Sequence, residues 1–141
     1  MIKKVSAIII FFTIFIFPKV IYAEGSKYIE IFDSRQNRVV KVVQLNTEIN
    51  NMVIDWLKEI NGIYSKVEPV KDDGYVIRIP LNTPINVQSR WLNSLVKEVY
   101  IIIQENEPPI FMIFESENKL ICFPFTDDIM TLSKVLNYKL K

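Results

Sequence analysis

The sequence predicts an α+β fold: a single antiparallel or mostly antiparallel sheet of five to six strands, one main amphipathic helix, an ambiguous short second helix and a C-terminal helix. Three observations carry this. Most apolar segments after residue 24 are short, rich in β-branched or aromatic residues, and bounded by turn residues. Several of them lie at hairpin spacing. One longer stretch, Thr47–Asn61, instead repeats its apolar side chains with the period of a helix.

Residues 1–23 precede that domain and read as a secretory signal peptide. Lys3 and Lys4 form a positive start, Val5–Phe17 is a 13-residue uncharged run, and Pro18 stops a helix. Ala23 offers a small residue for cleavage before Glu24, although Ile21 is bulkier than such sites prefer. The competing reading is an uncleaved membrane anchor. Thirteen residues at ~1.5 Å each reach roughly 20 Å, short of a ~30 Å hydrocarbon core. Extension to Tyr22 would enclose Pro18 and Lys19, so cleavage is favoured. A lipid anchor would need a cysteine at the cut, and the single cysteine is Cys122.

Residues 24–141 then form one small domain. Tyr28–Asp33 places Ile29 and Ile31 on one face and Tyr28, Glu30 and Phe32 on the other. A polar turn, Asp33–Asn37, leads into Arg38–Leu45, completing an N-terminal hairpin. Bulky side chains on both faces imply a strand covered on both sides or lying at a subunit contact. In Thr47–Asn61 the apolar residues Ile49, Met52, Val53, Trp56, Leu57 and Ile60 form one stripe. Asn46 or Thr47 can cap its start, and Gly62 stands where a left-handed C-cap is wanted. Trp56 is expected in the core.

Residues 63–73 connect to a strand at Tyr75–Leu81, with Tyr75, Ile77, Ile79 and Leu81 on an apolar face and Arg78 opposite. Pro80 lacks an N–H and points to an edge position or a strand end. Asn82–Pro84 reads as a turn. Over Ile85–Glu98, Val87, Trp91, Leu92, Leu95, Val96 and Val99 follow helix-like offsets and predict a short second helix, with an extended path as the alternative. Glu98–Glu105 reads as a buried central strand. Ile110–Glu115 and Lys119–Phe125 form a hairpin, with Pro124 at an edge or an end. Thr126 or Asp127 caps a terminal helix through Leu136.

Composition excludes much chemistry. No histidine means no Ser-His-Asp triad and no histidine base or ligand. One cysteine excludes a Cys₄ zinc site and an internal disulfide. Three glycines leave no phosphate-cradling loop, so no cofactor is expected. Residues 1–23 hold three lysines and no acid. Of 17 basic side chains, 14 therefore remain against 16 acids, a net charge of −2 without any basic run. Nucleic-acid binding, which needs a basic face, is not expected.

Acid pairs at Asp72/Asp73, Glu105/Glu107, Glu115/Glu117 and Asp127/Asp128 are the raw material of a glycosidase, whose carboxyl groups stand about 5–9 Å apart. Each falls in a turn or at a strand end, where burial and a raised pKa are uncommon. Lys71–Gly74 offers two acids, too few alone for calcium. Ser65-Lys66 and Ser133-Lys134 are adjacent pairs whose side chains diverge. Cys122, flanked by Ile121 and Phe123, reads as a small buried apolar residue.

The interaction candidates are Arg78 in its apolar strand and Arg90 beside Trp91, since guanidinium groups near aromatic surface recur at interfaces. An edge strand adds a route for strand addition. The expected function is an exported, non-enzymatic interaction module with a protein or cell-envelope partner, secreted or envelope-associated, touching the membrane only through residues 1–23 if they are uncleaved. The alternatives are a small cell-wall-directed hydrolase using paired carboxylates and an inhibitor of an extracellular enzyme. The abundance of Ile, Lys and Asn fits an AT-rich bacterial genome.

Overall fold

In the computed structural model, residues 26–64 and 73–140 are described. The signal-peptide segment 1–23, the pair Ser65-Lys66, Lys71 and Asp72 lie outside the described residues.

The expected N-terminal hairpin forms from β1 (Tyr28–Asp33) and β2 (Arg38–Gln44). Asn37 closes its turn at φ 51°, a left-handed conformation that asparagine tolerates better than most residues. Helix α1 (Thr47–Lys58) starts where Asn46 Oδ1 accepts the Ile49 N–H at 2.9 Å. The meander β3 (Tyr75–Gln88), β4 (Asn93–Ile103), β5 (Ile110–Ser116) and β6 (Lys119–Pro124) follows, and α2 (Ile129–Leu136) comes last. The strands lie in the order β2-β1-β3-β4-β5-β6, and every neighbouring pair is antiparallel. This is an α+β fold with six strands, as the sequence predicts.

Period-two alternation sends one set of side chains to the helices. Ile29 and Ile31, Ile77 and Ile79, Val99 and Ile101, Phe111 and Ile113, and Ile121 and Phe123 all join one core. Ile49, Val53, Trp56 and Leu57 of α1 and Leu132 and Leu136 of α2 close it from the same side. Trp56 meets Phe125 and Phe111 edge-on, with centroids 5.0 and 6.1 Å apart. Its indole N–H donates to Asp127 Oδ2, tying α1 to the loop before α2. Gly74 is required at the mouth of β3, because a Cβ there would stand 1.8 Å from the Ile103 carbonyl oxygen.

Several expectations are corrected. No helix forms over residues 85–98: β3 runs on to Gln88, residues 89–92 turn, and β4 begins at Asn93. The helix-like spacing comes from a register shift. Pro80 pairs with Glu98 and Ile85 with Val96, so four residues of β3 stand opposite one of β4. Lys97 and Glu98 both leave the core there, while Leu92, Val96 and Val99 all enter it. Those offsets of four and three mimic a helical stripe. Asn82–Pro84 is part of this irregular stretch of β3 and makes no chain-reversing turn.

Pro80 lies on an interior strand, not an edge. The ladder with β1 ends at Glu30–Arg78, so the missing N–H falls past the last pair on that side. Pro124 is the last residue of an edge strand, as expected. Helix α1 ends a turn early, where the Glu59 N–H reaches the Asp55 and Trp56 carbonyls, and Gly62 is not its cap. Asp128, rather than Thr126 or Asp127, caps α2 by accepting the Met130 N–H at 2.9 Å. Asn137 closes α2 at φ 50°. Both helices cover the same face of the sheet. No described helix lies on the other face, where Glu30 and Phe32 of β1 are half-buried and Ile102 and Cys122 are buried.

Candidate functional site

The uncovered face is assembled by register. One row crosses all six strands: Val42, Glu30, Arg78, Tyr100, Met112 and Cys122. Neighbours in such a row stand about 5 Å apart. Arg78 is therefore flanked on β1 by Glu30 and on β4 by Tyr100, with Glu98 one step diagonal. Its Nη1 donates to Glu98 Oε2 at 2.7 Å, and Nη2 stands 3.6 Å from Glu30 Oε1. Tyr100 Oη donates to Glu98 Oε1 at 2.7 Å and its ring meets Phe114 edge-on.

Partial burial opposes the Arg78 charge, but the hydrogen bond to Glu98 and the field of both carboxylates outweigh it and hold the guanidinium above its ordinary pKa. Burial and the Glu98 bond push the Tyr100 phenol up to about 12, so it stays protonated at neutral pH. Two carboxylates around one guanidinium leave this cluster with a net charge of −1. Arg78 has both carboxylates as partners, which makes it a poor receptor for a further anion.

Around the cluster lies apolar surface. Tyr28, Val39, Val42, Leu95, Phe114 and Leu120 are each 41–55% exposed, and alternation and register turn all six away from the helices. They account for six of the eight large exposed apolar side chains among the described residues, the others being Ile63 and Met130. Such gathering, rather than scatter, is what distinguishes a contact surface.

Arg90 and Trp91 are elsewhere, in the turn between β3 and β4. Ser89 Oγ accepts the Trp91 and Leu92 N–H groups, which fixes the turn. The Arg90 guanidinium lies 5.1 Å from the Trp91 ring centre, a cation–π pair. The pair borders a groove of about 450 Å³ whose far wall is the start of β6 and the segment around Tyr64. The Tyr64 N–H donates to the Cys122 carbonyl at 2.8 Å, so this segment shields β6 at that point. β6 is thus not bare along its whole length, and β2 is the other edge. Cys122 is buried although it lies on the face away from the helices, and that burial pushes its thiol pKa up.

Four of the residues weighed for catalysis have structural duties. Asp127 holds the Trp56 indole, Asp128 caps α2, Glu115 meets Lys119 at 3.3 Å, and Ser133 Oγ accepts the Leu140 N–H. Among the described residues, no three acids and cysteines gather as a metal site. No described helix is long and apolar enough to cross a membrane.

The opposite end of the sheet holds a buried carboxylate that sequence reasoning missed. Asp33 accepts from Arg35 N–H, Arg35 Nε, Arg35 Nη2 and Gln36 Nε2 at 2.9–3.3 Å. The Arg35 hydrogen bond, against the cost of burial, holds the Asp33 carboxyl below the usual carboxylate range. Nearby, Asp73 Oδ1 and Gln104 Nε2 are buried without hydrogen-bond partners, and both atoms are sealed from solvent.

Of the sequence candidates, the structure places Arg78 centrally on the open face and keeps Arg90 and Trp91 together at a separate groove. Glu30, Glu98, Tyr100 and Phe114 were missed. Their shared face was readable from alternation, but their meeting depends on which strands are neighbours. No known family model matches the chain, and no curated protein or solved structure is significantly similar to it.

Proposed function

We propose that the chain is an exported, non-enzymatic interaction module that binds a protein partner through the uncovered face of its sheet. The observation that carries this reading is the gathering of six exposed apolar side chains around the Arg78–Glu98–Tyr100 cluster on the face without helices. Interfaces of this kind combine aromatic and aliphatic anchors with a few oriented polar groups. The net negative cluster selects a partner that presents apolar surface around a lysine or arginine. Export rests on the tripartite pattern of residues 1–23, and extracytoplasmic location follows from it.

Site-specific photo-crosslinking in the native host tests the reading. A photoreactive residue at Phe114 or Val42 should give one defined adduct, weakened by Glu30→Lys, which repels a basic partner. The same group at Glu48 or Lys134, on the helical side, should give none. Equal adducts from both faces would overturn the proposal. So would turnover of wall glycan or peptide by the purified protein, abolished by replacing a single carboxylate.

A further inference from the structure

We infer that the groove beside Arg90 and Trp91 is a second recognition site, which takes the carboxyl terminus of an extended peptide ending in an apolar residue. Its volume of about 450 Å³ lies within the ~300–1,000 Å³ typical of ligand pockets and holds two or three side chains rather than a folded surface. Trp91, Ile63, Leu120 and Ile121 supply apolar contact, and Ile63 and Leu120 are exposed large hydrophobics in the free protein.

Charge decides the class of ligand. Lys119 is paired with Glu115, but no carboxylate stands within ion-pair distance of Arg90 among the described residues. Its guanidinium rests on the Trp91 ring, which orients a planar fork without using its hydrogen-bond donors. A carboxylate fits that fork with two parallel bonds. This distinguishes Arg90 from Arg78, whose donors already meet two carboxylates.

The polar lining decides between a peptide and an acyl chain. Ser89, Asn93 and the Glu115–Lys119 ion pair line the groove together with its apolar residues, so an occupant must offer polar as well as apolar groups. A peptide does so beyond its terminal carboxylate, and a fatty acid does not. The wall is also fixed: Ser89 locks the turn carrying Arg90, and Tyr64 is bonded to Cys122. A rigid wall keeps the ordering cost of binding low.

The test uses the full chain and three probes followed by calorimetry: the peptide acetyl-Ser-Gly-Ser-Leu-Phe with a free carboxylate, the same peptide amidated, and decanoate. The free acid should bind with Kd below about 1 mM, and the amide about tenfold more weakly or not at all. Arg90→Gln should abolish the difference between acid and amide, and Arg90→Lys should restore part of it while the far-UV spectrum stays unchanged. Equal binding of acid and amide, no binding of the acid, or tight binding of decanoate alone would each overturn the assignment. Val42→Ala, on the open face at the opposite edge strand β2, should leave peptide affinity unchanged, which separates this site from the protein-binding surface.

Discussion

Trp56 offers the sharpest test of how the two layers are joined, because three interactions meet at one side chain. It is 5% exposed, packs edge-on against Phe125 and Phe111, and donates its indole N–H to Asp127. Truncation of a buried aromatic to alanine costs about 3–5 kcal/mol, and edge-on ring pairs contribute about 0.5–1.5 kcal/mol each beyond their buried area. Trp56→Ala is therefore expected at the upper end, near 5 kcal/mol. Small domains have about 5–15 kcal/mol in total, so this variant stands close to unfolding. Trp56→Phe keeps most of the packing and isolates the hydrogen bond. A bond to a charged acceptor is worth about 1.5–3 kcal/mol, and exposure of Asp127 lowers that here to about 1 kcal/mol. Trp56→Phe combined with Asp127→Ala should then cost about 1 kcal/mol less than the sum of the two single changes. Urea unfolding followed by far-UV circular dichroism measures all four proteins, with midpoints shifting at constant slope. A loss under 1 kcal/mol for Trp56→Ala, or strict additivity in the cycle, would refute this account of the helix–sheet junction.

Three further outcomes follow from single contacts. Gly74→Ala forces a Cβ to within 1.8 Å of the Ile103 carbonyl oxygen, a backbone atom that cannot swing aside. It should cost about 3 kcal/mol or more, since overpacking against a movable side chain alone costs about 1–3 kcal/mol; a thermal midpoint within 2 °C of the parent, on the order of 0.5 kcal/mol or less, would be incompatible with that contact. Asp33 has a folded pKa below its unfolded value of about 3.9, so its contribution is present above that value and lost as pH falls through the folded one. Asp33→Asn should accordingly lower stability at pH 7 and flatten its decline below about pH 4, and an unchanged acid limb would contradict the direction of the shift. Cys122 should react with a thiol reagent far more slowly in the folded protein than in urea, because burial raises its pKa and hides the sulfur; equal rates would show an accessible thiolate.

Elements whose information is local were legible along the chain. Alternation assigned Ile77, Ile79 and Leu81 to one face of a strand and Arg78 to the other, and the structure keeps that division. The stripe from Ile49 to Leu57 and the Asn46 cap specified α1, because each residue's neighbours in a helix lie within four positions of it. Tertiary structure alone decided what depends on pairing between distant segments. Arg78 meets Glu30 and Glu98 only because β3 inserts between β1 and β4, an order that no spacing within β3 encodes. Pro80 is tolerated inside the sheet only because pairing with β1 has stopped by then. The helical spacing of Leu92, Val96 and Val99 arises in a strand because four residues of β3 bulge opposite one of β4, and that mismatch belongs to the pair rather than to either strand. Trp91 likewise reaches the groove wall around Tyr64 and Leu120 through the register of three hairpins. Local propensity and periodicity act along the chain, whereas cross-strand contacts are set by which apolar faces must share one core.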